Sequence, residues 1–168
     1  KQAYALLDAL GCRYREHQAG LFVWAELPEN YAGDCFAFSD EVMEKCDVCR
    51  LALNDNDYPY ILPLNFGIQT ENEQIILYFH GANEGKKYEL IAKDNRASFE
   101  MDCSHNLVTS MSNENCSCTM EYESVIGYGR IEIVPDNEKY QALHLLMKHY
   151  HQEDGSFNPS IMSRTTVI

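Results

Sequence analysis

No apolar run in the 168 residues approaches the roughly 18 that a membrane-spanning helix needs, so no membrane segment is expected. Basic charge is scarce: 13 Lys and Arg stand against 26 Asp and Glu, a formal net charge of −13. Such a surface repels a phosphate backbone, which argues against nucleic acid as a partner. The Gly-x4-Gly-Lys-Ser/Thr phosphate loop is missing, and so is the Gly-x-Ser-x-Gly nucleophile elbow. Gly127-Tyr128-Gly129-Arg130 falls inside a strand pattern, and a dinucleotide-binding reading of it fails on that context. Nothing resembles a secretory signal, although the chain opens on Lys1 and leaves room for a removed leader.

What remains is an ordinary globular balance, 45% hydrophobic and 23% charged, which argues against a disordered chain. The length fits one domain, or one domain plus a fragment. Seven cysteines, an odd number with no secretory signal, favour reduced thiols in a cytoplasmic protein over a disulfide framework, the alternative the count leaves open.

The spacing of Tyr4, Leu7 and Leu10 predicts a helix over 1–10, stopped by Gly11. Strands follow at 12–17 and 21–27 around a Gln18-Ala19-Gly20 turn, and Asp34 or Ser39 caps a helix running to about Lys45. From Cys46 the pattern turns to β. Strands are expected at 48–54 and 58–66 about the polar turn Asn54-Asp55-Asn56-Asp57, then at 74–80 and 96–103. Pro59 and Pro63 lack an N–H, which makes their strand an edge or bends it. Residues 86–93 read as a short helix and 104–117 as a polar insertion. One bent strand or two strands cover 119–134, with Gly127 and Gly129 permitting a bulge. A helix spans 137–151 with the apolar face Tyr140, Leu143, Leu146, Met147 and Tyr150, and a strand begins at Thr165. Short antiparallel strands with interspersed helices favour an α+β small barrel, mainly β, over a parallel sheet.

Four thiols in two close pairs, Cys46/Cys49 and Cys116/Cys118, suggest zinc only weakly, because the second spacing is tighter than structural zinc sites use. No metal is expected there, and no thioredoxin-like pattern surrounds the first pair. His144 and His151 share a helix face but lack a third ligand. His80 is more informative. It ends an aromatic strand and precedes Gly81-Ala82-Asn83-Glu84-Gly85-Lys86-Lys87, a glycine-containing turn with two lysines at a helix start. Backbone N–H groups at a helix N-terminus together with lysine charge suit a bound phosphate. A solvated helix turn beside a hydrogen-bonded histidine is the plainer alternative.

Longer matches go beyond spacing. Cys46-Asp-Val-Cys-Arg-Leu-Ala-Leu-Asn-Asp, Tyr58-Pro-Tyr-Ile-Leu-Pro-Leu-Asn-Phe-Gly and Leu77-Tyr-Phe-His-Gly-Ala-Asn-Glu-Gly-Lys-Lys occur in order. Phe99-Glu-Met-Asp, Tyr122-Glu-Ser-Val-Ile-Gly-Tyr-Gly-Arg-Ile and Leu145-Leu-Met-Lys-His-Tyr follow. Together they resemble the Nim, or 5-nitroimidazole resistance, branch of the pyridoxamine-phosphate-oxidase-like flavin-binding split barrels, over about 46–168. The resemblance implies a six-stranded antiparallel split barrel, usually a homodimer with FMN at the subunit interface, and a last strand that continues past Ile168. By the same resemblance Lys86 and Lys87 hold the FMN phosphate, Leu64, Asn65 and Phe66 line the flavin, and His80 and Gly81 lie beside it. His80 is then the catalytic candidate. The implied activity is reduction of a nitro group on an imidazole, with the flavin carrying the electrons. Binding haem or a deazaflavin without catalysis is the alternative.

Residues 1–45 do not fit that family. Ala19-Gly-Leu-Phe-Val-Trp-Ala-Glu-Leu-Pro and Gly33-Asp-Cys-Phe-Ala-Phe resemble the small C-terminal domain of class I pyridoxal-phosphate aminotransferases. That family's Schiff-base lysine and substrate-carboxylate arginine segments have no counterpart here, so transamination is not expected. The whole reads as a chimera, a helix–strand–strand–helix fragment over 1–45 preceding a barrel over 46–168. A non-functional fusion is the remaining alternative.

Overall fold

The computed structural model describes residues 13–14, 25–26, 34–72, 74–109, 118–152 and 155–168. The chain divides into two compact units, Lys1–Asp40 and Glu41–Ile168. In the first, β1 (Arg13–Tyr14) and β2 (Ala25–Glu26) pair antiparallel, Arg13 opposite Glu26 and Tyr14 opposite Ala25. These residues fall within the two strands expected there. The helix expected over 1–10, the Gln18–Gly20 turn and most of the aminotransferase-like segment lie outside the described residues.

Helix α1 (Cys35–Glu44) starts where Asp34 predicts: its Oδ1 accepts the Ala37 N–H at 2.9 Å, satisfying one of the donors that a helix start leaves free. Its last turn buries Val42 and Met43 in the core of the second unit. Next come β3 (Cys49–Leu53), β4 (Tyr60–Leu64), β5 (Phe66–Glu71) and β6 (Gln74–Ala82). Helix α2 (Lys86–Lys93) leads into the long strands β7 (Arg96–Val108) and β8 (Thr119–Arg130). Helices α3 (Lys139–His149) and α4 (Pro159–Met162) precede β9 (Thr165–Val167).

The strands of the second unit form two antiparallel sheets, ordered β4-β3-β7-β8 and β5-β6-β9. Seven strands are present among the described residues of the second unit where the resemblance implies six, because the run expected over 58–66 breaks at Asn65. Leu64 pairs with Cys49 in one sheet and Phe66 with Phe79 in the other. Pro63 is tolerated because β4 is an edge strand. The architecture is an antiparallel split barrel, mainly β with helices between and after the strands.

The bulge is not at the glycines of β8. It lies on β7, where the register with β8 slips between Cys103 and Asn106 and Ser104 takes a φ of 56°. Gly127 serves another need: a Cβ there would lie 2.5 Å from the Phe99 ring, so the missing side chain lets that ring cross the neighbouring strand. Residues 104–108, read from sequence as insertion, continue β7 beyond the bulge.

The helix expected over 137–151 is shorter, since the Pro135 carbonyl accepts the Glu138 and Lys139 N–H groups and sets its start. Its buried stripe is Ala142, Leu143 and Leu146, whereas Tyr140 is exposed and meets Phe157 edge-on at 5.4 Å. This helix packs on β5 at Gly67, where a Cβ would lie 2.5 Å from the Leu146 backbone nitrogen. Phe66, Phe79, Leu51, Leu53 and Met101 fill the interior between the sheets. No helix among the described residues is long and apolar enough to cross a membrane.

Candidate functional site

Strand β6 ends at His80-Gly81-Ala82, which pairs with β9 as His80 opposite Val167, Gly81 opposite Thr166 and Ala82 opposite Thr165. The turn that follows is tied to β9's approach: Asn83 donates to the Ser163 carbonyl and accepts from the Thr166 hydroxyl, both at 3.1 Å. Gly85 then takes a φ of 133°, a backbone state open to glycine, and α2 begins. This geometry brings two consecutive lysines to the strand end, and they face different ways.

Lys86 turns to the β3–β4 turn. Its Nζ lies 2.5 Å from Asp55 Oδ2 and 4.9 Å from the Tyr60 ring centre, and the Asp55 hydrogen bond raises its pKa. Lys87 turns back over β6. A Cβ on Gly81 would collide with its Nζ, and the Tyr88 ring centre is 4.9 Å away. Among the described residues no carboxylate pairs with Lys87, and desolvation lowers its pKa. Beside it the Tyr88 hydroxyl is buried and makes no hydrogen bond of good geometry among the described residues. Burial raises its pKa, with Thr166 opposing. His80 is exposed at one side but crowded at the other; desolvation first, then the charge of Lys87, lowers its pKa.

The β5–β6 register draws the second group of residues in. Phe66 lies opposite Phe79, so Asn65 comes level with His80. Leu64 and Asn65 sit at the crossing between sheets, with the Asn65 amide reaching the Asp47 carbonyl at 3.5 Å. The Tyr150 hydroxyl braces this crossing, donating to the Asp47 carbonyl at 2.7 Å and accepting from the Phe66 N–H at 3.2 Å. The Phe66 ring is fully buried and packs on His149 at 4.3 Å, so its apolar surface belongs to the core. The structure therefore gathers Asn65, His80, Gly81 and Lys87, while Lys86 points to the far end of β4.

Sequence reasoning missed Tyr88, although it directly follows the lysine pair. It also missed an apolar cleft of about 410 Å³ lined by Leu51, Leu77, Phe79, Phe99, Ile131 and Ile133. These residues come from β3, β6, β7 and the segment after β8, far apart in sequence, so no local pattern marks that cleft. The zinc reading finds no support among the described residues, where no group of three His, Cys, Asp or Glu is placed to hold a metal. Cys49 is buried within β3, Cys118 is exposed, and Cys116 lies outside the described residues.

Residues 38–167 match the family model described as pyridoxamine 5'-phosphate oxidase. The chain belongs to that family. Among solved structures, it is similar to a candidate 5-nitroimidazole antibiotic resistance protein from Bacteroides thetaiotaomicron. The TM-score is 0.65 at 28% identity, over 80% of this chain and 77% of that one. It also shares its fold with an FAD- and haem-binding protein from Mycobacterium smegmatis (TM-score 0.64, 16% identity, 79% and 63% covered). A flavocytochrome from Azotobacter vinelandii is comparable (TM-score 0.61, 15% identity, 79% and 61% covered). The chain spans under two thirds of those last two proteins. No curated protein matches by sequence.

Proposed function

We propose that this chain binds FMN at the β6–α2 corner and works as a flavin-dependent oxidoreductase of the nitroimidazole reductase type. One observation carries the reading: Lys87 is a half-buried cation with no carboxylate partner among the described residues, held against Gly81 beside the buried Tyr88 hydroxyl, which has no hydrogen bond of good geometry there. Such a cation is stabilised by an incoming anion, and a hydroxyl with no well-formed bond is a ready donor to it. The residues present thus fit a phosphate group. FMN, when bound, supplies the electron transfer.

The chain's own residues supply position and charge. Lys87 and Tyr88 hold the phosphate, Gly81 leaves room for the Lys87 ammonium, and Leu64 and Asn65 meet the remainder of the ligand. His80, its pKa lowered, is neutral near pH 7 and offers a hydrogen-bond donor or acceptor without a charge. A nitroaromatic substrate is supported by the 28%-identical relative linked to 5-nitroimidazole resistance.

A homodimer fits the same reading. The outer face of the four-stranded sheet exposes Ile61, Ile126 and Tyr128, the last two 75% and 87% accessible, an apolar area of the kind that second subunits cover. The aminotransferase-like residues before about 38 are, in this view, a foreign piece, since the family match begins at residue 38 and Val42 and Met43 already lie in the core of the second unit.

The test is a visible absorption spectrum of the purified protein mixed with FMN and passed through gel filtration. Flavin bands shifted from those of the free cofactor and retained with the protein support the reading. A colourless protein, or one that retains haem and not FMN, overturns it.

A further inference from the structure

The thiol pairing that matters in the fold joins residues distant in sequence. Cys46 lies in the connection between α1 and β3, and Cys103 lies on β7 at the bulge; both are buried, at 1% and 7% accessibility. Their sulfurs converge on one acceptor. Cys46 Sγ donates to the Val42 carbonyl at 3.2 Å and Cys103 Sγ approaches the same oxygen at 3.8 Å. Cys49, three residues from Cys46, is buried in β3 instead.

The two thiols differ in access. Cys103 lines a polar cavity of about 290 Å³ with Lys45, Arg50, Ser104 and His105, and its sulfur is 3.7 Å from Glu123 Oε2. Cys46 sits behind it, its pKa pushed up to about 12, first by desolvation and then by the neighbouring Cys103. A small oxidant entering the cavity therefore meets Cys103 first and finds a second thiol directly behind.

We propose that Cys46 and Cys103 form an oxidation site in which hydrogen peroxide converts the dithiol to a disulfide tying the end of α1 to β7. In the first step the Cys103 sulfur attacks one peroxide oxygen, the O–O bond breaks, and Glu123 takes the thiol proton and passes it to the departing hydroxide. The products are a Cys103 sulfenic acid and one water. Next, the Cys46 sulfur displaces that hydroxyl, forming the S–S bond and releasing a second water. Two thiols are oxidised and one peroxide is reduced.

The experiment uses the whole chain with Cys12, Cys35, Cys116 and Cys118 replaced by serine, which leaves Cys46, Cys49 and Cys103. The protein is treated with hydrogen peroxide, alkylated, digested without reductant and mapped by mass spectrometry. The expected product is a cross-linked peptide pair carrying Cys46 and Cys103, two hydrogens lighter than the sum and lost on reduction. Recovery of both as free alkylated thiols overturns the proposal. So does conversion of Cys103 to sulfinic acid with no cross-link, or pairing of either thiol with another cysteine. Adding Cys46→Ala should then leave Cys103 as a sulfenic acid trapped by dimedone. The peptide map of the Cys46-containing protein decides the matter even if that variant fails to fold.

Discussion

Replacing Lys87 by methionine should weaken FMN binding and stabilise the apo protein at once. The stem of Lys87 packs along Gly81 and Tyr88, and methionine keeps most of that contact while removing the charge. Loss of a charge-assisted hydrogen bond to phosphate costs about 1.5–3 kcal/mol, or roughly 10- to 150-fold in Kd. Lys86→Met should do much less. That lysine is exposed and already paired with Asp55, so less of its charge is free for a phosphate. Riboflavin, which lacks the phosphate, should bind both variants as it binds the unaltered protein. The stability change has the opposite sign. Folding lowers the Lys87 pKa below its ordinary 10.5, so the protonated side chain disfavours the folded state. Its stability deficit is present at neutral pH and disappears only as pH rises past 10.5. Fluorescence titration with FMN and riboflavin, and a urea midpoint without ligand, measure both effects. Equal losses for the two lysines, or a lower urea midpoint for Lys87→Met, would refute the reasoning.

Three further outcomes follow from packing and charge. Gly67→Ala forces the α3 backbone away from β5 and should cost about 1–3 kcal/mol by urea denaturation, while Gly129→Ala, with open space at its Cβ, should stay within about 0.5 kcal/mol. Tyr150→Phe removes the donor to Asp47 and the acceptor for Phe66 N–H, with an expected loss of about 1–2 kcal/mol in the same assay. His80 has a folded pKa below 6.5, so the stability it contributes is complete above that value and is lost as pH falls through the folded pKa. The unaltered protein should therefore lose more stability than His80→Gln on acidification below pH 6.5, and NMR titration should find the His80 pKa higher in Lys87→Met.

Local signals carried much of the fold. The helix over 86–93 matches α2 residue for residue, and the Asp34 cap and the edge strand marked by Pro63 follow from backbone chemistry alone. What local reading missed depends on long-range contacts. Asn65 looks like an ordinary strand residue until Leu64 and Phe66 are seen to pair in different sheets. Gly127 suggests a bulge until the Phe99 ring explains it, and the real bulge at Ser104 carries no glycine at all. The candidate site was legible as a cluster, His80 through Lys87, but not in its division of labour. Two adjacent lysines read alike in sequence; only the fold gives one to Asp55 and leaves the other over Gly81.

The most direct test of the flavin assignment is sedimentation velocity of the protein with FMN, followed at the visible flavin band. Flavin absorbance moving with the protein, at the mass of two chains, is the predicted result. Flavin that stays with the solvent while the folded protein sediments alone would contradict the account.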